Sequence, residues 1–239
     1  MGHPYPAMTG GPTSARSRYS QRMAQGMDVT VSAVLFDMDG TLVDSTAAVE
    51  AVWAEFADRY GLDLDEVLRF SHGRLTIDSV THFLPAGLDP LEATAVLDAQ
   101  ELARLEGITE IPGAAAVLRD LVGAPVAVVT SASRELAQRR MQAAGLVAPA
   151  LIVAAEDVRT GKPAPEGYLR AASLLGVAPD DCVVFEDAEA GLQAAVASGA
   201  RVVVVGGHSS PTTADLPRVP DFTMLWASHR DGRIRLVHP

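Results

Sequence analysis

The chain has 239 residues, enough for one domain carrying one modest insertion. Its 48% hydrophobic and 21% charged residues are those of an ordinary globular protein, and no apolar run approaches the ~20 residues that span a bilayer. A formal net charge of −11 argues against a nucleic-acid partner, because phosphate backbones demand a basic face.

Residues 1–27 are rich in Gly, Pro, Ser, Gln and Arg, with no acidic residue before Asp28, and are expected to form a disordered tail. An organelle-targeting peptide or a start codon set too early are the alternatives. An apolar strand follows at 31–36 and ends abruptly in Asp37, Met38, Asp39, Gly40 and Thr41. Residues 46–60 have a helical period, with Val49, Val52, Trp53 and Phe56 on one face. Further helical patterns occupy 63–70, 76–84 and 89–105 with no convincing strand between them, so 46–109 is expected to be a separate helical cap. Trp53 and Phe56 are expected in its core.

The remainder alternates. After a helix at 114–121, strands are expected at 126–130, 150–154, 182–185 and 201–205, separated by helices at 133–144, 164–175 and 189–198. Such alternation predicts right-handed βαβ units, hence an α/β fold with a Rossmann-like parallel sheet, built from 28–45 and 110–239. Phe222–Trp226 and 233–237 are expected as short strands near the end. The single cysteine, Cys182, opens a buried strand, permits no internal disulfide and fits a reducing cytoplasm.

The chemistry-bearing residues cluster at strand ends. Asp37 and Asp39, spaced i, i+2 on extended backbone, point to one side and converge on one ligand, although such a pair alone also marks a plain turn or a calcium-loop fragment. Thr130-Ser131 ends a later strand, and Glu186-Asp187 ends another. The second acidic pair, taken alone, is equally an acidic helix N-terminus. Lys162, in Gly161-Lys162-Pro163-Ala164-Pro165, is the one lysine against 18 arginines. A chain that uses arginine elsewhere keeps a compact ammonium here, which suits a small charge set among anionic oxygens. In a parallel sheet these groups meet in the crevice at the carboxyl edge.

The ordered set FDMDGT (36–41), VVTS (128–131), GKPAP (161–165) and VFEDAEAG (184–191) resembles the haloacid dehalogenase superfamily of phosphohydrolases. More narrowly, the chain resembles the branch of sugar-phosphate phosphatases, glycerol-phosphate phosphatases and β-phosphoglucomutase, in which a small helical cap follows the first motif. The resemblance implies that Asp37 is a nucleophile forming an aspartyl-phosphate and that Asp39 is the general acid and then base. It implies Mg²⁺ held by the side chains of Asp37 and Asp187 and the backbone carbonyl of Asp39, with Glu186 either a ligand or a hydrogen-bond acceptor behind them. Thr130, Ser131 and Lys162 would bind the phosphoryl oxygens.

Substrate choice would fall to His72, Gly73 and Arg74 of the cap, unless His72 merely caps a helix and Arg74 pairs with Asp78. The implied activity is a Mg²⁺-dependent phosphatase acting on a small phosphorylated sugar or polyol, as a cytoplasmic monomer or weak dimer. The alternatives are a sugar phosphomutase and, from another class, a non-catalytic phosphosugar-binding module. A phosphonate hydrolase of this superfamily needs a cap lysine, which this chain lacks.

Overall fold

The computed structural model describes residues 26–239, so the expected tail lies outside the described residues except for its last two positions. Met27 already opens a strand. Six parallel strands form the main sheet in the order β6-β5-β2-β7-β8-β9. They are β2 (Ala33–Phe36), β5 (Val126–Val129), β6 (Leu151–Val153), β7 (Cys182–Glu186), β8 (Arg201–Val205) and β9 (Arg218–Val219). Every residue of β2 is buried, as a central parallel strand covered on both faces requires. Its side chains alternate between two separate apolar layers. Val34 and Phe36 pack with α5 (Ala114–Asp120) and α6 (Arg134–Ala143). Ala33 and Leu35 pack against α7 (Glu166–Leu175) and α8 (Glu189–Ser198).

Between β2 and α5 the chain forms α1 (Thr46–Tyr60), α2 (Leu64–Ser71), α3 (Thr76–Phe83) and α4 (Pro90–Ala103). These helices have their own apolar core, where Val52, Trp53, Phe56, Val67, Val80 and Leu97 meet. Trp53 and Phe56 are core residues, as expected, with rings 5.5 Å apart edge to face. The chain leaves the sheet and returns through a two-stranded ribbon in which β3 (Val43–Asp44) pairs antiparallel with β4 (Thr109–Glu110).

Two expectations are corrected. The strand expected over 31–36 is two strands broken at Ser32: β1 (Met27–Val31) belongs to a different sheet, and only β2 enters the parallel one. Ser32 marks the change, donating its hydroxyl to Asp181 Oδ2 at 2.6 Å and its N–H to the Asp181 carbonyl at 2.9 Å. The strand expected at Phe222–Trp226 is largely absent. Phe222 is buried against Phe36 and Phe185, with centroids 5.8 and 5.5 Å away, and pairing starts only at Trp226. From there β10 (Trp226–Arg230) turns into β11 (Arg233–His238), which pairs with β1 to complete a three-stranded antiparallel sheet. The turn residues, Asp231 (φ 51°) and Gly232 (φ 72°), have the positive φ angles that a two-residue hairpin needs to match strand twist.

Candidate active site

The sheet order sets β2 between β5 and β7, so the loops carrying the acidic pairs and Thr130-Ser131 emerge side by side. The Asp37 N–H still donates to the Phe185 carbonyl at 3.0 Å, which continues the ladder one residue past β2 and fixes the base of this side chain. Asp37 is buried, and its Oδ1 accepts from the Lys162 ammonium. Lys162 Nζ also donates to Glu186 Oε1 at 2.8 Å and stands 5.3 Å from the Tyr168 ring centroid. Glu186 is fully committed. Its Oε1 additionally accepts from the Tyr168 hydroxyl at 3.1 Å, and its Oε2 accepts from the Ala188 N–H at 2.8 Å.

Electrostatics follow from this burial. Desolvation, with Glu186 and Asp187 nearby, raises the Asp37 pKa well above the carboxylate range, against the opposing pull of Lys162. Burial alone would lower the Lys162 pKa, but the Asp37 and Glu186 carboxylates outweigh it and hold the ammonium firmly protonated. Burial and the Glu186 charge push the Tyr168 hydroxyl up, so it remains a donor.

Asp187 faces the same point from the β7–α8 turn. Its Oδ1 accepts from the Thr41 hydroxyl at 3.0 Å, and its Oδ2 lies 3.2 Å from His72 Nε2. The hydrogen bond to Asp187 raises the His72 pKa. A β-carbon on Gly40 would come 2.1 Å from Asp187 Oδ2, so the glycine is what lets this carboxylate reach the site. Carboxylate oxygens of Asp37, Glu186 and Asp187 all lie within 4.8 Å of one another. Three carboxylates against one ammonium form a hard, oxygen-only donor set with surplus negative charge, which fits a small divalent cation.

Asp39 is held differently. Its Oδ1 accepts from the Ser45 hydroxyl at 2.6 Å and from Arg140 Nη1 at 3.0 Å. Arg140, buried on α6, lies 3.4 Å through Nη2 from Glu101 of α4. Desolvation would weaken the Arg140 charge, yet Asp39 and Glu101 more than offset it and raise its pKa. Desolvation also raises the Glu101 pKa, with Arg140 opposing.

The remaining expected residues converge on the same place. The Thr130 hydroxyl accepts from the Ala132 N–H at 3.0 Å and shapes the turn after β5. Ser131 donates its hydroxyl to the Gly73 carbonyl at 2.8 Å, so the loop between α2 and α3 is docked onto the sheet edge. Arg74 forms no ion pair with Asp78; its guanidinium stacks 4.6 Å over the Phe70 ring. His72 both caps α2 and reaches Asp187. Together with Asp37, Asp39 and Asp187 these loops enclose a cavity of about 200 Å³. Ser45, Glu101, Arg140 and Tyr168 were not anticipated. Only Tyr168 carried a local signal, standing six residues beyond the lysine in the first turn of α7.

A family model of haloacid dehalogenase-like hydrolases matches residues 31–199, and the chain belongs to that family. It is therefore an enzyme of a hydrolase family, and its curated relatives are phosphatases. It is 45% identical over 196 residues to hexitol phosphatase A of Escherichia coli (strain K12), covering 80% of this chain and 88% of that protein. Glycerol-1-phosphate phosphohydrolase 2 of Saccharomyces cerevisiae is 34% identical over 202 residues, covering 80% and 78% respectively. Among solved structures, CbbY from Rhodobacter sphaeroides in complex with phosphate matches with a TM-score of 0.70 at 25% identity, over 80% of this chain and 95% of that one.

Proposed function

We propose that the protein is a Mg²⁺-dependent phosphatase that hydrolyses a small polyol or sugar phosphate through an aspartyl-phosphate on Asp37. The observation that carries this reading is the buried cluster of Asp37, Lys162, Glu186 and Asp187 opening onto a cavity that also contains Asp39. The 45% identity to a hexitol phosphatase supports the substrate class.

In this reading Asp37, Asp187 and the Asp39 carbonyl hold the cation, while Glu186, already bonded to three donors, anchors Lys162. When bound, the cation neutralises the crowded carboxylates and the phosphoryl oxygens. Asp37 Oδ1 is tied to Lys162, which leaves Oδ2 to attack phosphorus in line with the leaving oxygen. Lys162 then shares its charge with the transferred phosphoryl group. Asp39 Oδ1 is occupied by Ser45 and Arg140, so the proton given to the departing alkoxide rides on Oδ2. The same oxygen afterwards takes a proton from the water that hydrolyses the acyl phosphate. Helices α1–α4 serve as a cap over residues 46–109, and Ser131 and Gly73 latch it to the sheet edge.

The test is phosphate release from a panel of hexitol, glycerol and hexose monophosphates, with Mg²⁺ and with excess chelator. Release from polyol phosphates is expected with Mg²⁺ only, and none from folded Asp37→Asn. Absence of turnover on every ester, or undiminished turnover in Asp37→Asn, refutes the reading.

A further inference from the structure

The cavity continues past Asp39 into a region where Arg140 and Glu101 face each other from different parts of the fold, α6 below and α4 above. Both are nearly closed off from solvent, at 3% and 7% exposure. Arg140 spends one nitrogen on Asp39, while its Nε and Nη2 are buried without any hydrogen-bond partner. The Nη2–Glu101 separation of 3.4 Å is an ion-pair distance without hydrogen-bond alignment. A buried guanidinium with two idle donors is costly unless something else in the cavity uses them.

Resting on the phosphatase reading above, we propose that Arg140 and Glu101 form a leaving-group subsite that binds the hydroxyls of an uncharged polyol and rejects a second phosphoryl group. Location is the first support. With the proton on Asp39 Oδ2, the ester oxygen sits beside Asp39, and the carbon chain attached to it extends towards Arg140 and Glu101. Chemistry is the second. A hydroxyl both donates and accepts, and an arginine donor beside a carboxylate acceptor satisfies both halves of adjacent hydroxyls.

Charge is the third support. With the proton on Asp39, Glu101 balances the single cation of Arg140, and Glu50 adds a further carboxylate to the lining of the same cavity. A dianionic phosphoryl group at the distal end would meet net negative charge there, whereas a neutral polyol would not.

Three substrates report on this subsite: a hexitol monophosphate, phenyl phosphate, which has no hydroxyls, and a hexose bisphosphate. Glu101→Leu removes the acceptor while Arg140 keeps Asp39. It is expected to lower the ratio of kcat/KM for the hexitol ester over phenyl phosphate at least about tenfold, chiefly through KM. Glu101→Gln, nearly isosteric, is expected to raise kcat/KM for the bisphosphate relative to the monophosphate at least about threefold, and it is read alone if Glu101→Leu fails to fold. A folded variant whose ratios match wild type overturns the inference, as does a wild-type preference for the bisphosphate. Failure of the wild type on all three esters refutes the phosphatase reading instead, so the two failures are distinguishable.

Discussion

Lys162→Met tests the energetics of the buried cluster most directly. Methionine keeps most of the apolar stem and deletes the ammonium that lies between Asp37 and Glu186. At the 2.8 Å separation from Glu186, the gross attraction is about 6 kcal/mol at an effective dielectric near 20. Most of that offsets the desolvation of three buried groups, so the net value of the cluster is far smaller. Removing the cation alone, however, strands two carboxylates that are essentially inaccessible to water, and such losses run to about 3–5 kcal/mol. We expect urea unfolding at pH 7 in chelator to show a stability deficit of that size.

Mg²⁺ should narrow the deficit. The variant's native state concentrates negative charge without a competing ammonium, and a ligand at a hundred times its Kd adds about 2.7 kcal/mol. A deficit below about 1 kcal/mol, or one indifferent to Mg²⁺, would show that Lys162 does not compensate this cluster.

Asp39→Asn should lower turnover of an alkyl phosphate by about 10²–10⁴-fold and that of a nitrophenyl ester by less, because the better leaving group needs less protonation; equal losses would remove Asp39 from the acid role. In Gly191→Ala the new β-carbon would lie 1.5 Å from Glu186 Oε1, so a thermal melt should report a loss of about 1–3 kcal/mol, and activity should fall as Lys162 loses its anchor. Partial burial would raise the Glu189 pKa, but hydrogen bonds from Thr212, His208 and Gln193 outweigh it and bring it to about 2. A depressed carboxyl stabilises the fold above its ordinary pKa of 4.5 and loses that contribution as pH falls towards 2. The stability gap between wild type and Glu189→Gln should therefore be level above about pH 5 and shrink below it; a gap that widens on acidification contradicts the assignment.

What was legible in the sequence was local. Asp37, Asp39, Glu186 and Asp187 stand at the ends of apolar runs and Lys162 in the loop that follows another, and parallel alternation alone brings these segments together. The cap helices were equally readable, because Val52, Trp53 and Phe56 repeat with a helical period and are buried. Arg140 and Glu101 were invisible for the opposite reason. Each lies on a charged helix surface in one dimension, and only the packing of α4 near α6 turns both inward. Ser32 hid the break between β1 and β2, since hydrophobicity runs through it and the change of sheet depends on Asp181, far along the chain. Near the end, the strand expected over 233–237 is β11 and Asp231-Gly232 is a strong hairpin signal, but Trp226–Arg230 has too little apolar weight to mark its partner β10. Phe222 misled because aromatic character fits a strand and a core plug equally well.

The pairing of β1 with β11 has a consequence for the order in which the molecule is assembled. Met27 lies opposite His238 and Val31 opposite Ile234, so the first described strand has no hydrogen-bonded neighbour until the last one exists. On the ribosome, β2, β5, β6, β7 and the cap can emerge and pack while Val29 and Val31 wait about 200 residues for their partner. Asp28 and Arg235, 207 positions apart, then close the circuit by a bidentate ion pair. Strand β11 acts as a clasp on the strand that leads into Asp37, and an intact β10–β11 hairpin becomes a condition for a rigid nucleophile. Maturation of the active site therefore waits until the β10–β11 hairpin has been made.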